Sequence, residues 1–221
     1  MNHKVKLLIS ALPAVGKTTL LSTLEDVLVI ARDGKAFPFE MPHVNVPDFT
    51  DVDQLINLII EKINAYDEKY GKLPKIVAID SISKIVLDIE GCALEKVKAF
   101  PYGVINTEIK KLMDFIERDL VPEFDVILVS HAMYSEEVGG YVLVNAGGSY
   151  GKKGGILSEV DEAIFLELKG KNRNVYYRNP KVCARTTIKD LPDSVPITEF
   201  NLQKHVEILR ATKTKTATWS L

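Results

Sequence analysis

Cysteine and tryptophan are scarce in this chain of 221 residues, with two of the first and one of the second. Cys92 and Cys183 stand far apart and fit neither a CxxC pair nor a zinc-ligand spacing. That excludes a disulfide framework and a cysteine-built metal centre, and leaves two ordinary buried thiols of a reducing compartment. An excess of one charge is also missing: 28 Lys and Arg face 30 Asp and Glu, a formal net charge of −2. A polybasic coat is excluded, so any contact with nucleic acid must be a local patch. The longest apolar runs, such as 58–60 behind Leu55 and Ile56, or 126–129, are much too short for a bilayer. No internal repeat or low-complexity tract occurs. What is present, 46% hydrophobic and 26% charged residues, is enough for one core of ordinary size and excludes disorder of the whole chain.

Four short runs, the strand-like 5–10 (VKLLIS) and the mostly apolar 27–31 (VLVIA), 76–80 (IVAID) and 126–130 (VILVS), show no polar alternation. Such runs are strands covered on both faces. Helical patterns lie between them, at 18–24, 52–63, 82–98 and 104–119. Pro38, Pro42 and Pro47 punctuate an irregular connection before the second helix, which Thr50 and Asp53 open like a capping box. The last two helices are separated by a break at Pro101-Tyr102-Gly103. Strands alternating with helices predict an α/β fold with a mostly parallel sheet flanked by helices. After His131 the texture changes. Residues 141–144 form a short strand, and 163–169 pair with 174–177 around Gly170-Lys171-Asn172-Arg173, which predicts antiparallel hairpin strands near the C-terminus. A last helix is expected over 201–210. These features place a single core in 1–210 and a flexible tail, in which Trp219 is unexpected, in 211–221.

The chemistry begins at Ala11-Leu12-Pro13-Ala14-Val15-Gly16-Lys17-Thr18, between the first strand and the first helix. Lys4 and Lys6 before an apolar stretch imitate a signal peptide, but the following Gly16-Lys17-Thr18-Thr19 explains the same residues better as a Walker A loop. A nucleotide triphosphate needs inward-pointing N–H groups, an ammonium on the β and γ oxygens and a hydroxyl on Mg²⁺. Residues 11, 13–16 and 19 supply the cradle, Lys17 the charge, Thr18 the metal ligand, and Thr19 a contact to the α-phosphate. Ala11 stands where a glycine is usual; if that position had φ > 0, its Cβ would cost about 1–2 kcal/mol. Asp80, ending the apolar strand 76–80, completes an Mg-ATP site. The water-activating group is Asp33, after the second strand, or Glu40. His131, after Val129-Ser130, lies where an imidazole meets the γ-phosphate. Gly147 to Gly155 combines Tyr150 with Lys152 and Lys153, cations and a ring of the kind that holds single-stranded nucleic acid. Nine Lys or Arg face four acids between 152 and 189.

Together ALPAVGKTTL, ARDG, IVAIDSISKI, ILVSHAMY, NAGGSYGKKGG and CARTTIKDLPDSVPI resemble the RecA-like ATPases. The similarity spans roughly 5–196 and is strongest to the Sak-type phage proteins, single-strand annealing ATPases that contain only a RecA core. The resemblance implies a RecA-like P-loop NTPase fold and ATP with Mg²⁺ as cofactors. It places Asp33 as the residue that activates water and His131 as the γ-phosphate sensor. It also implies two DNA-binding loops, one around Phe100 and Tyr102 and one at 146–155. Arg185, with Lys181 and Arg178 as competitors, would act as a finger on a neighbouring subunit's nucleotide. Single-stranded DNA, further copies of the chain in a ring or filament, and a single-strand-binding protein are the implied partners, in the cytoplasm (the host's, if phage-encoded) and away from membranes. Ala11 and Ala14 depart from the glycines expected there. Two other functions remain open on the residues alone: a P-loop ATPase that loads or regulates a replication protein, and a small-molecule P-loop kinase.

Overall fold

The computed structural model describes residues 4–32, 34, 37, 39–97, 99–145 and 155–217. Among them nine strands form one sheet: β1 (Lys6–Ala11), β2 (Val27–Ala31), β3 (His43–Asn45), β4 (Ile76–Asp80), β5 (Asp125–Ser135), β6 (Gly140–Leu143), β7 (Glu162–Lys169), β8 (Asn172–Tyr176) and β9 (Ser194–Pro196). Their order is β3-β2-β4-β5-β1-β7-β8-β9, with β6 on the far end of β5. The pairs from β3 to β7 are parallel, and β7-β8-β9 and β5-β6 are antiparallel. This is the RecA-like P-loop NTPase fold expected from the alternation of strands and helices.

The apolar strands read as continuous runs because both faces are covered. Leu8, Leu28, Ile30, Val77, Ile79, Val126 and Leu128 point into a core closed by α2 (Val52–Tyr70), α3 (Ile82–Lys96) and α4 (Pro101–Phe115). Leu7, Ile9, Val27, Val29, Ala78, Ile127 and Val129 point the opposite way, toward α1 (Lys17–Leu21) and α6 (Leu202–Ala217). Burying each Val, Leu or Ile among them contributes about 1.5–3 kcal/mol. The short helix α5 (Gly155–Ser158) precedes β7.

Several local expectations shift. Helix α2 is capped one residue later than Thr50 and Asp53 suggest: Asp51 accepts from Gln54 N–H at 3.0 Å, and Gln54 Oε1 accepts from Thr50 N–H at 2.8 Å. Pro101-Tyr102-Gly103 is no interruption but the first turn of α4. Pro101 occupies the N1 position, where its missing N–H has no intrahelical role, and Phe100 turns the chain with φ 57°. The α4 pattern ends in a π-helical turn at Ile116–Leu120. Strand β5 runs on to Ser135, because after its parallel pairing with β1 ends at His131 it continues antiparallel to β6. The terminal helix does not stop at 210. Lys213 Nζ donates to Lys4 O at 2.9 Å and to Asp161 Oδ2 at 2.8 Å, and Arg210 pairs with the fully buried Asp125 carboxylate. Residues 211–217, expected as flexible tail, continue the helix, which Arg210 and Lys213 tie to Asp125, Lys4 and Asp161; Trp219 lies outside the described residues. Among the described residues no helix is long and apolar enough to cross a membrane.

Candidate nucleotide site

The C-terminal ends of β1 and β4 flank β5 around residues 129–131, and the candidate residues stand on or just after them. Ala11, fully buried, is the last residue of β1 and is in register with both His131 and Leu166. It is therefore an extended strand residue, and the conformational cost feared at this position does not arise. The cost sits three residues on, where Ala14 has φ 62°, a left-handed conformation that favours glycine. Gly16 has φ 107° and keeps its glycine. Pro13 and Ala14 are exposed on the loop, while Val15 is buried beneath it.

Lys17 is only 6% exposed. Its Nζ donates to the carbonyls of Ala11 at 3.2 Å and Leu12 at 3.1 Å, and lies 3.3 Å from His131 Nδ1. With the ammonium as donor, the acceptor in this contact is His131 Nδ1. The backbone N–H of His131 donates to Ser83 Oγ at 3.0 Å, and Ser83 Oγ sits 3.2 Å from Ser81 Oγ. Both serines are fully buried, and Ser81 caps α3 by accepting from Lys84 N–H. One polar chain thus joins Lys17, His131 and the start of α3. Arg32 secures the neighbouring strand end: its N–H donates to Asp80 O at 2.8 Å, and its guanidinium bonds Asp48, Asp88 and the Val46 carbonyl. Burial works against that guanidinium's charge, but the two carboxylates outweigh it and hold its pKa above the ordinary value.

Thr18 Oγ1 donates to Asp80 Oδ2 at 2.9 Å. A hydroxyl and a largely buried carboxylate in contact are hard oxygen donors, the set that Mg²⁺ takes alongside phosphate oxygens. Beside them lies a loop with an ammonium at its floor. The residues present therefore fit Mg²⁺ and a nucleotide triphosphate: Thr18 and Asp80 would hold the metal, and Lys17 with the backbone of 13–18 the phosphates.

The other predicted residues are more dispersed. Asp33 lies outside the described residues, as do Tyr150, Lys152 and Lys153. Glu40 is exposed before β3. Tyr102 is exposed on the first turn of α4, not on a loop. Arg178 is committed to structure, donating to the carbonyls of Leu191, Ile188 and Lys189. Arg185 donates to the Val160 carbonyl at 2.5 Å. Lys181 is exposed, with its backbone N–H on Asn179 Oδ1. One residue near the loop was missed by reading the sequence. A Cβ on Gly16 would lie 3.4 Å from Arg173 Nη1, so the β7-β8 hairpin reaches the phosphate loop. Arg173 had counted only as a turn residue, and nothing in its local sequence signals the contact.

A family model described as an AAA domain matches residues 3–188. No curated protein sequence matches the chain. A solved structure described as a prototypical ATPase from the type III secretion system of pathogenic bacteria is similar, at 16% identity and a TM-score of 0.44. The match covers 75% of this chain and 52% of that one, so the chain spans about half the length of that ATPase. With the family model covering most of its length, and with Lys17, Thr18 and Asp80 brought together from the ends of β1 and β4 on either side of β5, the chain belongs to the AAA domain family of P-loop ATPases.

Proposed function

We propose that this chain binds Mg-ATP, hydrolyses it slowly, and couples that cycle to binding single-stranded DNA and annealing complementary strands. The observation that carries the nucleotide part is the bond between Thr18 and Asp80 beside the buried Lys17. When bound, Mg²⁺ would neutralise charge on the triphosphate. Lys17 holds a fixed cation at the floor of the loop, and Thr18 and Asp80 offer the metal two oxygens. Asp33, or Glu40 in its place, orients the attacking water. His131 touches Lys17 and begins the part of β5 that runs out to the β5-β6 hairpin, so a change at the phosphates has a covalent route to that hairpin.

The DNA part is supported by the resemblance to the annealing ATPases and by the composition around Tyr150, Lys152 and Lys153, with exposed Tyr102 as a further stacking surface. Assembly with other copies would bring a cation to a neighbour's nucleotide. Lys181 suits this better than Arg178 or Arg185, whose guanidinium groups are already bonded to backbone carbonyls. A single-strand-binding protein is the proposed accessory partner. The test is the ATPase rate alone, with single-stranded DNA and with duplex, alongside annealing of complementary oligonucleotides. Stimulation by the single strand only, with ATP-dependent annealing, is expected; an ATPase indifferent to DNA, with no annealing, would refute the DNA reading.

A second reading has its own observation. Met133, Tyr134 and Val138, all more than half exposed, put apolar side chains on the strand and turn of the β5-β6 hairpin, beyond His131 on the same strand. Exposed apolar groups on a single hairpin favour a protein partner, as a loader or regulator of replication would have.

A further inference from the structure

We infer that Arg173 is a second phosphate-binding cation of the nucleotide site, supplied by the same chain and directed at the α- and β-phosphates; the inference rests on the nucleotide reading above. Strand β7 runs parallel to β1, with Leu166 beside Ala11. It continues three residues beyond the point where β1 ends and gives way to the phosphate loop. The turn at Gly170 and Lys171 therefore rises next to that loop, and β8 returns with Arg173 opposite Leu168. Alternation along β8 puts Arg173 on the same face as Val175, which packs with Leu166, Val15 and Leu20 on the α1 side of the sheet. The guanidinium thus projects toward the loop and not to the opposite layer.

Its position is narrow. From the point a Cβ on Gly16 would occupy, Arg173 Nη1 lies at 3.4 Å, Arg173 Cζ at 3.9 Å and Thr19 Oγ1 at 3.9 Å. Lys17, in contrast, reaches the Ala11 and Leu12 carbonyls and His131. The two cations accordingly flank different ends of the cradle. Lys17 and His131 mark the β/γ end, and Gly16 with Thr19 marks the end that takes the α- and β-phosphates. Arg173 is solvent-exposed and, among the described residues, has neither a carboxylate nor a hydrogen-bond acceptor of its own. Arg173 also lines a groove with Lys171, Asn172, Pro196, Ile197 and Thr198. A guanidinium fork on phosphate oxygens forms strong, charge-assisted bonds. Because α and β oxygens are common to the triphosphate and diphosphate, Arg173 should hold product as firmly as substrate.

The experiment is calorimetric titration of the full chain with Mg-ATP and Mg-ADP, in wild type and in Arg173→Ala, Arg173→Lys and Lys17→Ala. Arg173→Ala is expected to weaken both nucleotides to the same degree, by about ten- to a hundredfold. Arg173→Lys should recover part of the loss, and the melting temperature without nucleotide should not change. Unaltered affinities in Arg173→Ala, while Lys17→Ala loses binding, would overturn the role of Arg173 and leave the nucleotide site standing. A loss confined to Mg-ATP would overturn the α/β assignment by putting the guanidinium on the γ-phosphate. Wild-type protein that binds neither nucleotide would overturn the inference together with the reading beneath it.

Discussion

Exchanging the residue types at two positions of the phosphate loop, Ala14→Gly and Gly16→Ala, gives opposite expected outcomes. Both positions have left-handed backbone, with φ 62° at Ala14 and 107° at Gly16. An L-residue in that region costs about 1–2 kcal/mol from its Cβ against the following carbonyl. Ala14→Gly removes this cost, but the freer unfolded chain returns roughly 0.4–1 kcal/mol. The net expectation is a gain of about 0.5–1 kcal/mol. For a chain of this size that corresponds to a melting temperature higher by roughly 1–4 °C. Gly16→Ala introduces the same strain and adds only ordinary contacts, the nearest being Arg173 Nη1 at 3.4 Å. It should lose about 1–2 kcal/mol. It also sets a methyl group toward the side on which Arg173 waits, so nucleotide affinity should fall with stability. Urea and thermal unfolding of the two variants without nucleotide measure this directly. An Ala14→Gly variant no more stable than wild type would refute the strain argument, since nothing else about an exposed methyl group offsets it.

Three further outcomes follow from other parts of the molecule. Arg210→Met leaves the Asp125 carboxylate fully buried with, among the described residues, only the Val5 N–H to bond, and should cost about 3 kcal/mol in urea unfolding. Burial, and then Glu162, pushes Tyr177 from 10.0 up to about 12. Its neutral form is favoured by the fold, so this contribution is fully present below pH 10 and is lost as pH rises from 10 toward 12; Tyr177→Phe should flatten that alkaline decline. His131→Ala should leave Mg-ATP binding largely in place but remove the effect of ATP on DNA affinity, a coupling usually worth about 1–3 kcal/mol, read by titrating labelled oligonucleotide with and without nucleotide.

The parts of the fold legible in the sequence were those fixed by local chemistry. The strand at 76–80 and its terminal Asp80 declare themselves because a strand buried on both faces has no polar residue to spare until its end. The loop 11–18 is legible because cradling phosphate demands a particular order of glycine, lysine and hydroxyl. What escaped depends on distant partners. The run 126–130 turns polar at His131, yet the strand goes on because β6 offers it a new edge. The segment 211–217 is rich in Lys and Thr but stays helical because Asp161 and the Lys4 carbonyl receive Lys213. Phe100 and Pro101 look like a loop and instead start a helix. Arg173 is the clearest case: its place beside the phosphate loop is set by how far β7 overshoots β1, a property of register that no window of sequence contains.

The central claim is that Lys17, Thr18 and Asp80 form a working Mg-ATP site, and the most direct measurement is steady-state ATP hydrolysis by wild type and Lys17→Ala at saturating Mg²⁺. Wild type should hydrolyse ATP only with the metal present. Lys17→Ala should fall by about a hundredfold or more while retaining the wild-type circular dichroism spectrum. Hydrolysis by Lys17→Ala at the wild-type rate, or a wild-type rate that does not respond to removal of Mg²⁺, would contradict it.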